Sequence, residues 1–427
     1  MKHTFNKIKR VDGELFFKGD KSISHRVIFF SAMAEGISEI ENISDCEDVK
    51  STISAFEMLG AKFIKDKDKL IIQGIGRDNF KKPEREIFCG NSGTTARLLS
   101  GLLATQKFSS TITGDDSLST RPMKRIIEPL ELMGAKIEHK NFKLPITFYP
   151  TLNLHPIDYV LKIPSAQVKS AILIAGLFLS DKTKVKEKIF SRDHTERILN
   201  LNYEFLNTEK IIYSSSEFYP KNQNYFVPGD ISSAAFFIVL TLLTENSELL
   251  IKNISLNPTR TGFLKILKQM NANITIEEIG VANGEPYGNI LTKSSKLQNI
   301  EISPDLIPNI IDEIPILSLA GVFADNDFTI KNCKELRFKE TDRISALCKN
   351  YEKIGLDVYE FYDGFSISGK IKNHYCNFET FDDHRIAMTF AILSMLLNDG
   401  GEIDNQQCIK ISNPDFFNQL SLVTVAE

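Results

Sequence analysis

The sequence predicts an α/β protein made of α+β repeats, and three observations lead to this fold class. The first is a local pattern that recurs: a helix end, then a Gly or Asn, then a strand in which apolar and polar residues alternate. Its four clearest copies are centred on Gly60, Gly134, Asn271 and Gly355. Gly and Asn tolerate the left-handed conformation that commonly ends a helix. Alternation with a period of two is typical of a half-buried strand.

The second observation is the spacing of these copies. A weaker copy at Asn202 places successive centres 68 to 84 residues apart. A period of roughly 70 residues divides the chain into about six mixed units. Helix–Gly–strand junctions also occur in α/β proteins without repeats, but four close copies favour a repeat.

The third observation is an echo between the two halves of the chain. Gly19 and Asp20 open an apolar helix, and Gly229 and Asp230 open another one 210 residues later. This echo predicts two equivalent halves of three units each. Lys21 follows the first copy and Ile231 the second, so only the first copy is equipped to bind an anion.

Composition excludes several classes of protein. Of the 427 residues, 42% are hydrophobic and 25% charged, which is ordinary for a globular protein. A net charge of -4 excludes a globally basic nucleic-acid binder, although it allows a small basic cleft. The longest apolar runs, such as 234–240, are shorter than the ~20 residues of a membrane span. The six cysteines form no CxxC pair, which favours isolated thiols and a cytoplasmic location.

Three segments share one design, in which a loop rich in Gly, Ser or Asn runs into an apolar helix beside a cation. They begin at Asp20, Gly90 and Pro164. A helix N-terminus is a natural anion site, although Ser, Asn and Asp are also ordinary N-caps. Three such loops, each near a Lys or Arg, favour phosphate or carboxylate binding. No GxxxxGK[ST] motif occurs, so the sequence does not indicate a P-loop.

Two charged clusters near the C-terminus precede apolar helices. Arg343 and Arg385 lie close to the predicted helix starts, where a cation opposes the helix dipole unless an anion is also present. Further upstream, Asp312 and Glu313 interrupt an apolar stretch. Burial would raise a carboxylate pKa towards the range useful for proton transfer. A helix-capping Asp312 is the alternative interpretation.

Taken in order, the motifs resemble one family nearly from end to end: 5-enolpyruvylshikimate-3-phosphate synthase (EPSP synthase, 3-phosphoshikimate 1-carboxyvinyltransferase). The matching segments are GDKSISHR (19–26), GNSGTTARLL (90–99), GDDSLSTRPM (114–123), PSAQVKSA (164–171), NPTRTG (257–262), LRFKETDRI (336–344) and DHRIAM (383–388). SRDHTER (191–197) together with NPTRTG is similar to the bacterial class II branch.

The resemblance implies a fold and a reaction. The fold is the inside-out α/β barrel of enolpyruvyl transferases, with two lobes of three βαβαββ units each. We expect one lobe in residues 1–18 plus 229–427 and the other in residues 19–228. The reaction joins shikimate 3-phosphate to phosphoenolpyruvate and releases phosphate, with no metal or organic cofactor. Since the candidate anion sites fall in both halves, we expect a hinge closure on binding.

The resemblance also implies roles for individual residues. Those expected to contact shikimate 3-phosphate are Lys21, Ser22, Arg26, Ser165, Ala166, Gln167, Asp312 and Lys339. Those expected to contact phosphoenolpyruvate are Lys21, Asn91, Gly93, Arg121, Gln167, Arg343 and Arg385. Asp312 would accept the proton of the 5-hydroxyl, Glu340 would carry the proton at C3, and Lys21 would assist catalysis. His384 is a supporting candidate, Arg192 is a further one on the shikimate side, and a β-carbon at Gly93 would crowd the phosphoenolpyruvate pocket.

One position departs from the family pattern. Many members carry a Lys where this chain has Ile411, and Lys410 is one residue away. Two other functions remain as alternatives: a UDP-N-acetylglucosamine enolpyruvyl transferase and a catalytically idle phosphosugar-binding protein. The first family presents a cysteine before its Arg-Pro, and residues 114–122 contain none. The expected partners are the two small polyanions, without nucleic acid or membrane, and we expect a monomer.

Overall fold

A computed structural model of the chain describes residues 1–426. The chain divides into two compact units. The first unit comprises Met1–Phe17, Gly229–Gly280 and the residues from Pro286 onward, and the second comprises Lys18–Pro228 with Val281–Glu285. Glu427, the last residue of the predicted lobe 229–427, lies outside the described residues.

The second unit contains three four-stranded sheets of the same design within Lys18–Pro228. In spatial order, the first sheet has strands Tyr225–Phe226, Glu35–Glu41, Lys69–Ile75 and Lys62–Asp66; the second has Ile87–Phe88, Ser110–Thr113, Lys143–Tyr149 and Lys136–Lys140; the third has Asp158–Val160, Thr183–Glu187, Glu209–Ser214 and Tyr203–Leu206. In each sheet the first pair of strands is parallel and the other two pairs are antiparallel. The predicted repeat is therefore visible as a repeated strand order.

Helices form the centre of the second unit. They are Lys21–Met33, Glu47–Met58, Gly93–Leu103, Asp116–Thr120, Lys124–Leu132, Ala166–Gly176 and His194–Leu199. The helices at Lys21, Gly93 and Ala166 are buried almost all round. Strands such as Lys143–Tyr149 instead alternate between buried and exposed residues. Helices therefore lie inside this unit and sheets outside, as an inside-out barrel requires.

The first unit has a five-stranded sheet and, among the described residues, two three-stranded ones. In spatial order the strands are Asn273–Ala282, Glu285–Lys293, Glu248–Ser255, Ile8–Phe16 and Thr424–Ala426; then Phe328–Ile330, Gly364–Ser368 and Asp357–Phe361; then His3–Phe5, Gly401–Ile403 and Cys376–Phe378. Strand Ile8–Phe16 pairs in parallel with Glu248–Ser255 and antiparallel with Thr424–Ala426. Strand Ile8–Phe16 is thus an interior strand of its sheet.

Three buried helices form the core of the first unit: Ile231–Leu243, Ile314–Val322 and His384–Leu396. Each of them packs against the other two. The unit's other α-helices are Gly262–Gln269, Ile307–Ile310, Arg343–Lys353 and Phe416–Val423, and short 3₁₀ helices in the chain are Ser216–Phe218, Pro304–Leu306, Lys334–Phe338 and Gln407–Ile411. Contacts among the first residues of the three core helices, described below, bring their N-termini together.

The predicted helix-to-strand pivots adopt the left-handed conformation at the four clear copies. The φ angles are +110° at Gly60, +91° at Gly134, +71° at Asn271 and +81° at Gly355. The weaker copy is corrected: the left-handed residue is Asn200, which ends helix His194–Leu199, rather than Asn202. Asn202 precedes the strand that starts at Tyr203.

No helix within residues 1–426 combines the length and the apolar character needed to cross a membrane.

Candidate active site

A close helix contact positions the first group of candidate residues in the second unit. A β-carbon on Gly101 would lie 2.2 Å from the carbonyl oxygen of Ala171, so glycine lets helices Gly93–Leu103 and Ala166–Gly176 approach closely. Their first turns consequently meet. Arg97 Nη1 donates to Gln167 Oε1 at 2.5 Å. Gln167 Nε2 in turn donates to the hydroxyl of Thr94 at 2.9 Å.

Ser165 lies directly before the second of these helices and acts as its N-cap. Its hydroxyl accepts a hydrogen bond from the backbone N–H of Val168. Ser165, Ala166 and Gln167 are only partly buried. The helix cap, which was the alternative interpretation of this loop, is therefore present, and the anion site at the same residues stays a prediction.

The loop at Lys21 has the same design. Asp20 caps helix Lys21–Met33 by accepting from the N–H of Ile23 at 3.0 Å. Lys21 Nζ lies 3.0 Å from a carboxylate oxygen of Asp48, and both side chains are partly exposed. Lys21 and Ser22 are accessible to a ligand at this helix start.

Arg26, one turn further along the helix, points into the unit. Its side chain donates to the hydroxyls of Thr195 and Ser170 and to the carbonyl oxygen of Ser22. Burial lowers the pKa of its guanidinium to about 10, although nearby Glu196 acts in the opposite direction. The structure thus brings Arg26 close to Ser22 while its own hydrogen bonds hold it in place.

Gly93 lies between two guanidinium groups. Arg121 Nη2 donates to Asn91 Oδ1 at 2.6 Å, and Asn91 Nδ2 donates to Asp115 at 2.7 Å. A β-carbon on Gly93 would stand 2.9 Å from Arg97 Nη1 and 3.5 Å from Arg121 Nη1. The absence of a side chain at residue 93 therefore preserves space beside two cations.

A buried ionic cluster that the motifs did not predict lies behind these residues. Lys169 Nζ is 2.8 Å from Glu187 and 2.7 Å from Glu196, and all three side chains are almost fully buried. Burial alone would lower the pKa of Lys169, but Glu196 and Glu187 outweigh it, so the pKa is raised. The cluster ties the segment 191–197, which contains the partly exposed Arg192, to helix Ala166–Gly176.

In the first unit, Asp312 is surrounded by cations. Its Oδ1 lies 3.1 Å from Lys339 Nζ and 3.6 Å from Arg343 Nη1. Its Oδ2 lies 3.8 Å from Arg260 Nη1. The carboxylate is 14% exposed, so it remains accessible at the edge of the group. We call Asp312, Lys339, Glu340, Arg343 and Arg385 the Asp312 cluster.

Arg343 contacts both acids of this cluster and one acid outside it. Its guanidinium is 1% exposed and lies 3.6 Å from Asp312, 2.6 Å from Glu340 and 2.7 Å from Asp383. Burial lowers the pKa of this guanidinium, but Asp383 and Glu340 outweigh it and the pKa is raised. Asp383 also caps helix His384–Leu396 by accepting from the N–H of Arg385. The cation at each of these helix starts therefore has an anion beside it: Asp383 and Glu340 for Arg343, and Glu313 for Arg385.

Arg385 Nη1 donates to the backbone oxygen of Asp312 at 2.8 Å and lies 3.5 Å from Glu313. Glu313 is fully buried and also accepts from Ser232, which accepts from Arg260. These contacts join the first residues of the three core helices. The motifs had singled out Arg385 but assigned no role to Glu313, Ser232 or Arg260, although NPTRTG contains Arg260.

Three further residues that the motifs singled out are His384, Lys410 and Ile411. His384 is buried at the first position of its helix. Lys410 is exposed in a short 3₁₀ helix, and Ile411 packs against the core of the first unit.

The residues described above combine groups that can bind anions with groups that can transfer protons. Arginine forks and lysines at helix starts suit phosphate and carboxylate ligands. Carboxylates with one accessible edge, such as Asp312 and Glu340, can accept or deliver protons. Among residues 1–426, no group of three or more His, Cys, Asp or Glu side chains is arranged to hold a metal ion.

Comparison with known proteins places the chain in a family. The family model described as EPSP synthase (3-phosphoshikimate 1-carboxyvinyltransferase) matches residues 5–420. The 3-phosphoshikimate 1-carboxyvinyltransferase of Petrotoga mobilis is 45% identical over 424 residues, covering 97% of this chain and 98% of the relative. That of Geotalea daltonii is 42% identical and covers 99% of both chains.

Solved structures agree with this family and with the predicted fold class. An EPSP synthase structure from Acinetobacter baumannii has a TM-score of 0.86 and 37% identity, covering 100% of this chain and 98% of that one. The enolpyruvyl transferase NikO from Streptomyces tendae has a TM-score of 0.77 at 14% identity, covering 99% and 96%, and shows the fold alone. The predicted enolpyruvyl transferase fold is confirmed, and the chain belongs to the EPSP synthase family of transferases.

Proposed function

We propose that this chain transfers the enolpyruvyl group of phosphoenolpyruvate to the 5-hydroxyl of shikimate 3-phosphate and releases phosphate. The relatives bear the name of this activity, and the family implies two small-molecule substrates. The observation that supports the proposal most directly is the Asp312 cluster. There one accessible carboxylate lies among Lys339 and Arg343, and a second carboxylate, Glu340, pairs with the same arginine.

For shikimate 3-phosphate, we assign the 3-phosphate to the helix start at Ser165. Free backbone N–H groups, the positive end of the helix dipole and the Gln167 amide favour an anion there. The proposed contacts are Lys21, Ser22, Arg26, Ser165, Ala166, Gln167, Asp312 and Lys339. Arg26 differs from the others because it is 2% exposed. We therefore assign it mainly to fixing the backbone oxygen of Ser22, at 2.8 Å.

For phosphoenolpyruvate, we assign the arginines as a clamp for its carboxylate and phosphate. The proposed contacts are Lys21, Asn91, Gly93, Arg121, Gln167, Arg343 and Arg385. The ligand's charge of about −2.5 to −3 explains why several cations are needed. Arg97 lies 2.9 Å from where a Gly93 β-carbon would be, and it holds Gln167 in position.

The proposed chemistry is an addition followed by an elimination. Asp312 accepts the proton of the 5-hydroxyl while that oxygen forms a bond to C2 of phosphoenolpyruvate. Glu340 gives a proton to C3, so that the double bond becomes single. Glu340, now a carboxylate, takes a proton back from C3 while the C2–O bond to phosphate breaks, which restores the double bond, and Lys21 stabilises the negative charge of the departing phosphate. Positioned acid–base groups of this kind contribute typically about 10² to 10⁴ in rate.

The test is phosphate release measured with both substrates, with each one alone, and with UDP-N-acetylglucosamine in place of shikimate 3-phosphate. We expect release only when shikimate 3-phosphate and phosphoenolpyruvate are both present. Release with the nucleotide sugar would favour the first alternative, which the named relatives do not support. Binding of shikimate 3-phosphate without any release would favour the idle binder.

We also propose that a single chain is the active unit. Analytical ultracentrifugation at the enzyme concentration of the assay tests this, and a dimer under those conditions would contradict it.

A further inference from the structure

A continuous chain of buried polar groups connects three helices of the second unit. His25 Nδ1 lies 2.7 Å from the hydroxyl of Thr52, which lies 2.7 Å from the hydroxyl of Thr95. Thr95 in turn donates to the hydroxyl of Ser92 at 2.8 Å. All four residues are fully buried. We call them the His25 network.

The network joins two helices that carry candidate ligand-binding residues through a third helix between them. His25 is on helix Lys21–Met33, Thr52 on helix Glu47–Met58, and Ser92 caps helix Gly93–Leu103. Thr95 also donates to the backbone oxygen of Asp48, at 3.3 Å. Asp48 is the residue that pairs with Lys21. The network therefore connects the helix start at Gly93 to the partner of Lys21.

The two hydrogen bonds that Thr95 donates assign one direction of donors and acceptors along this network. A threonine hydroxyl has one hydrogen. Thr95 uses its hydrogen towards Ser92 or the Asp48 carbonyl, so it must accept from Thr52. Thr52 has then used its own hydrogen and must accept from the imidazole. His25 consequently carries its proton on Nδ1.

The other imidazole nitrogen gives an independent argument for the same tautomer. Within residues 1–426, no hydrogen-bond partner lies near His25 Nε2, which is fully buried. An N–H group left there without an acceptor would carry a large desolvation cost. A protonated ring would also place a third cation beside Lys21 and Arg26. The neutral Nδ1–H form avoids both costs.

We infer that His25 is a positioning residue for the proposed transfer reaction. As a neutral Nδ1–H donor it sets the direction of the hydroxyl chain, and the chain holds Lys21, through Asp48, at a fixed distance from Gly93. This inference depends on the proposed function for the roles of Lys21 and Gly93. The tautomer itself does not depend on it.

The first test is nitrogen NMR of the full chain carrying ¹⁵N-labelled histidine. The His25 signals are assigned among the seven histidines by their loss in His25→Asn. In a neutral imidazole the protonated nitrogen resonates far upfield of the bare one, so the two tautomers are distinct. We expect a protonated Nδ1 and a bare Nε2 at neutral pH. A protonated Nε2 would overturn the inference, even for a chain with no transfer activity.

The second test is a set of variants assayed by steady-state phosphate release. The amide nitrogen of Asn can replace Nδ1 as a donor, so we expect His25→Asn to remain near wild type. We expect Thr52→Val, which keeps the side-chain shape, to raise KM for phosphoenolpyruvate about tenfold with a smaller change in kcat. Thr52→Ser keeps the hydroxyl and should restore KM.

The matched control is Thr241→Val in the first unit. Thr241 is equally buried in a helix, but its hydroxyl donates to the backbone oxygen of Phe237 rather than to another side chain. If both valine variants fold and shift KM equally, the effect of Thr52→Val is one of general packing and the positioning role is wrong. A wild-type chain without any phosphate release would remove the proposed function, while the NMR result would still decide the tautomer.

Discussion

Replacing Asp312 with Asn should separate catalysis from ligand binding. The substitution preserves the volume of the side chain and removes one negative charge among Lys339, Arg343 and Arg260, which lie 3.1 to 3.8 Å away. At an effective dielectric constant near 20, each such pair interacts by about 4 to 5 kcal/mol before solvent screening. The carboxylate is 14% exposed, so the net values are smaller.

These numbers predict opposite effects on turnover and on binding. Loss of the general base should lower kcat by about 10² to 10⁴, which corresponds to about 3 to 5 kcal/mol in the activation barrier. The site, with one negative charge fewer, should bind the anionic shikimate 3-phosphate at least as tightly as wild type. Arg343 keeps Glu340 and Asp383 as partners, so the fold should persist.

The assay combines two measurements on the Asp312→Asn protein. Initial rates of phosphate release give kcat and KM, and titration calorimetry gives the dissociation constant for shikimate 3-phosphate. The control is Asp305→Asn, an exposed acid in the same segment, which should behave as wild type. A kcat within about threefold of wild type would refute the reasoning, because removal of a general base should lower kcat far more than that. Equal losses in kcat and affinity would instead make Asp312 a binding residue.

Three further predictions follow from other features of the second unit. Gly93→Ala should raise KM for phosphoenolpyruvate about tenfold, because its new methyl would contact two arginines. The control is Gly280→Ala, whose new methyl would have its nearest contact at an ordinary 3.7 Å. Equal KM values for the two variants would contradict the steric role of Gly93. Burial holds the pKa of His25 well below 6.5, so below that pH only the unfolded chain takes up the proton. Wild type should therefore lose about 1 kcal/mol of unfolding free energy per pH unit below 6.5, relative to His25→Asn. An equal change in the unfolding free energy of both proteins between pH 6.5 and 5.5, measured in urea, would rule this out. Lys169→Met should lower the free energy of unfolding in urea by about 3 to 5 kcal/mol, since two glutamates lose their buried cation. The control is Lys186→Met at a partly exposed lysine, which should lower it by less than about 1 kcal/mol. Similar losses for both variants would show that the buried cluster contributes no more than a surface ion pair.

The repeat could be predicted from sequence because its signal is local. Gly60, Gly134 and Gly355 mark left-handed helix ends, and few other residues are tolerated there. The fifth pivot was misplaced because Asn200 and Asn202 are both asparagines, and sequence alone does not show which one ends the helix. Local patterns could not predict the strand order of the sheets, since each sheet of the second unit contains one parallel pair of strands that are not consecutive in a hairpin. In the first of these sheets the paired strands, Glu35–Glu41 and Tyr225–Phe226, come from opposite ends of the unit's chain.

The site could be predicted only as far as its motifs extend. Asp312, Arg343 and Arg385 lie in short segments of unusual composition, and the structure brings them together. Arg97 could also have been predicted from the sequence, because it lies one helical turn after Gly93 on the same face of the helix. The partners of Lys169 were not: Glu187 and Glu196 are distant in sequence, and their contact depends on how a strand and a short helix pack against the buried lysine.

The interior position of strand Ile8–Phe16 has a consequence for synthesis on the ribosome. This strand is made long before its partners, Glu248–Ser255 and Thr424–Ala426. All of Lys18–Pro228 emerges before the first of those partners exists, so the second unit has most of its chain while the first unit has only two strands. The apolar side chains of Val11 and Leu15, buried in the finished protein, lack their native strand neighbours throughout that interval. An unpaired strand with exposed apolar residues is prone to aggregate, so the nascent chain is vulnerable at this strand until its partners have been made.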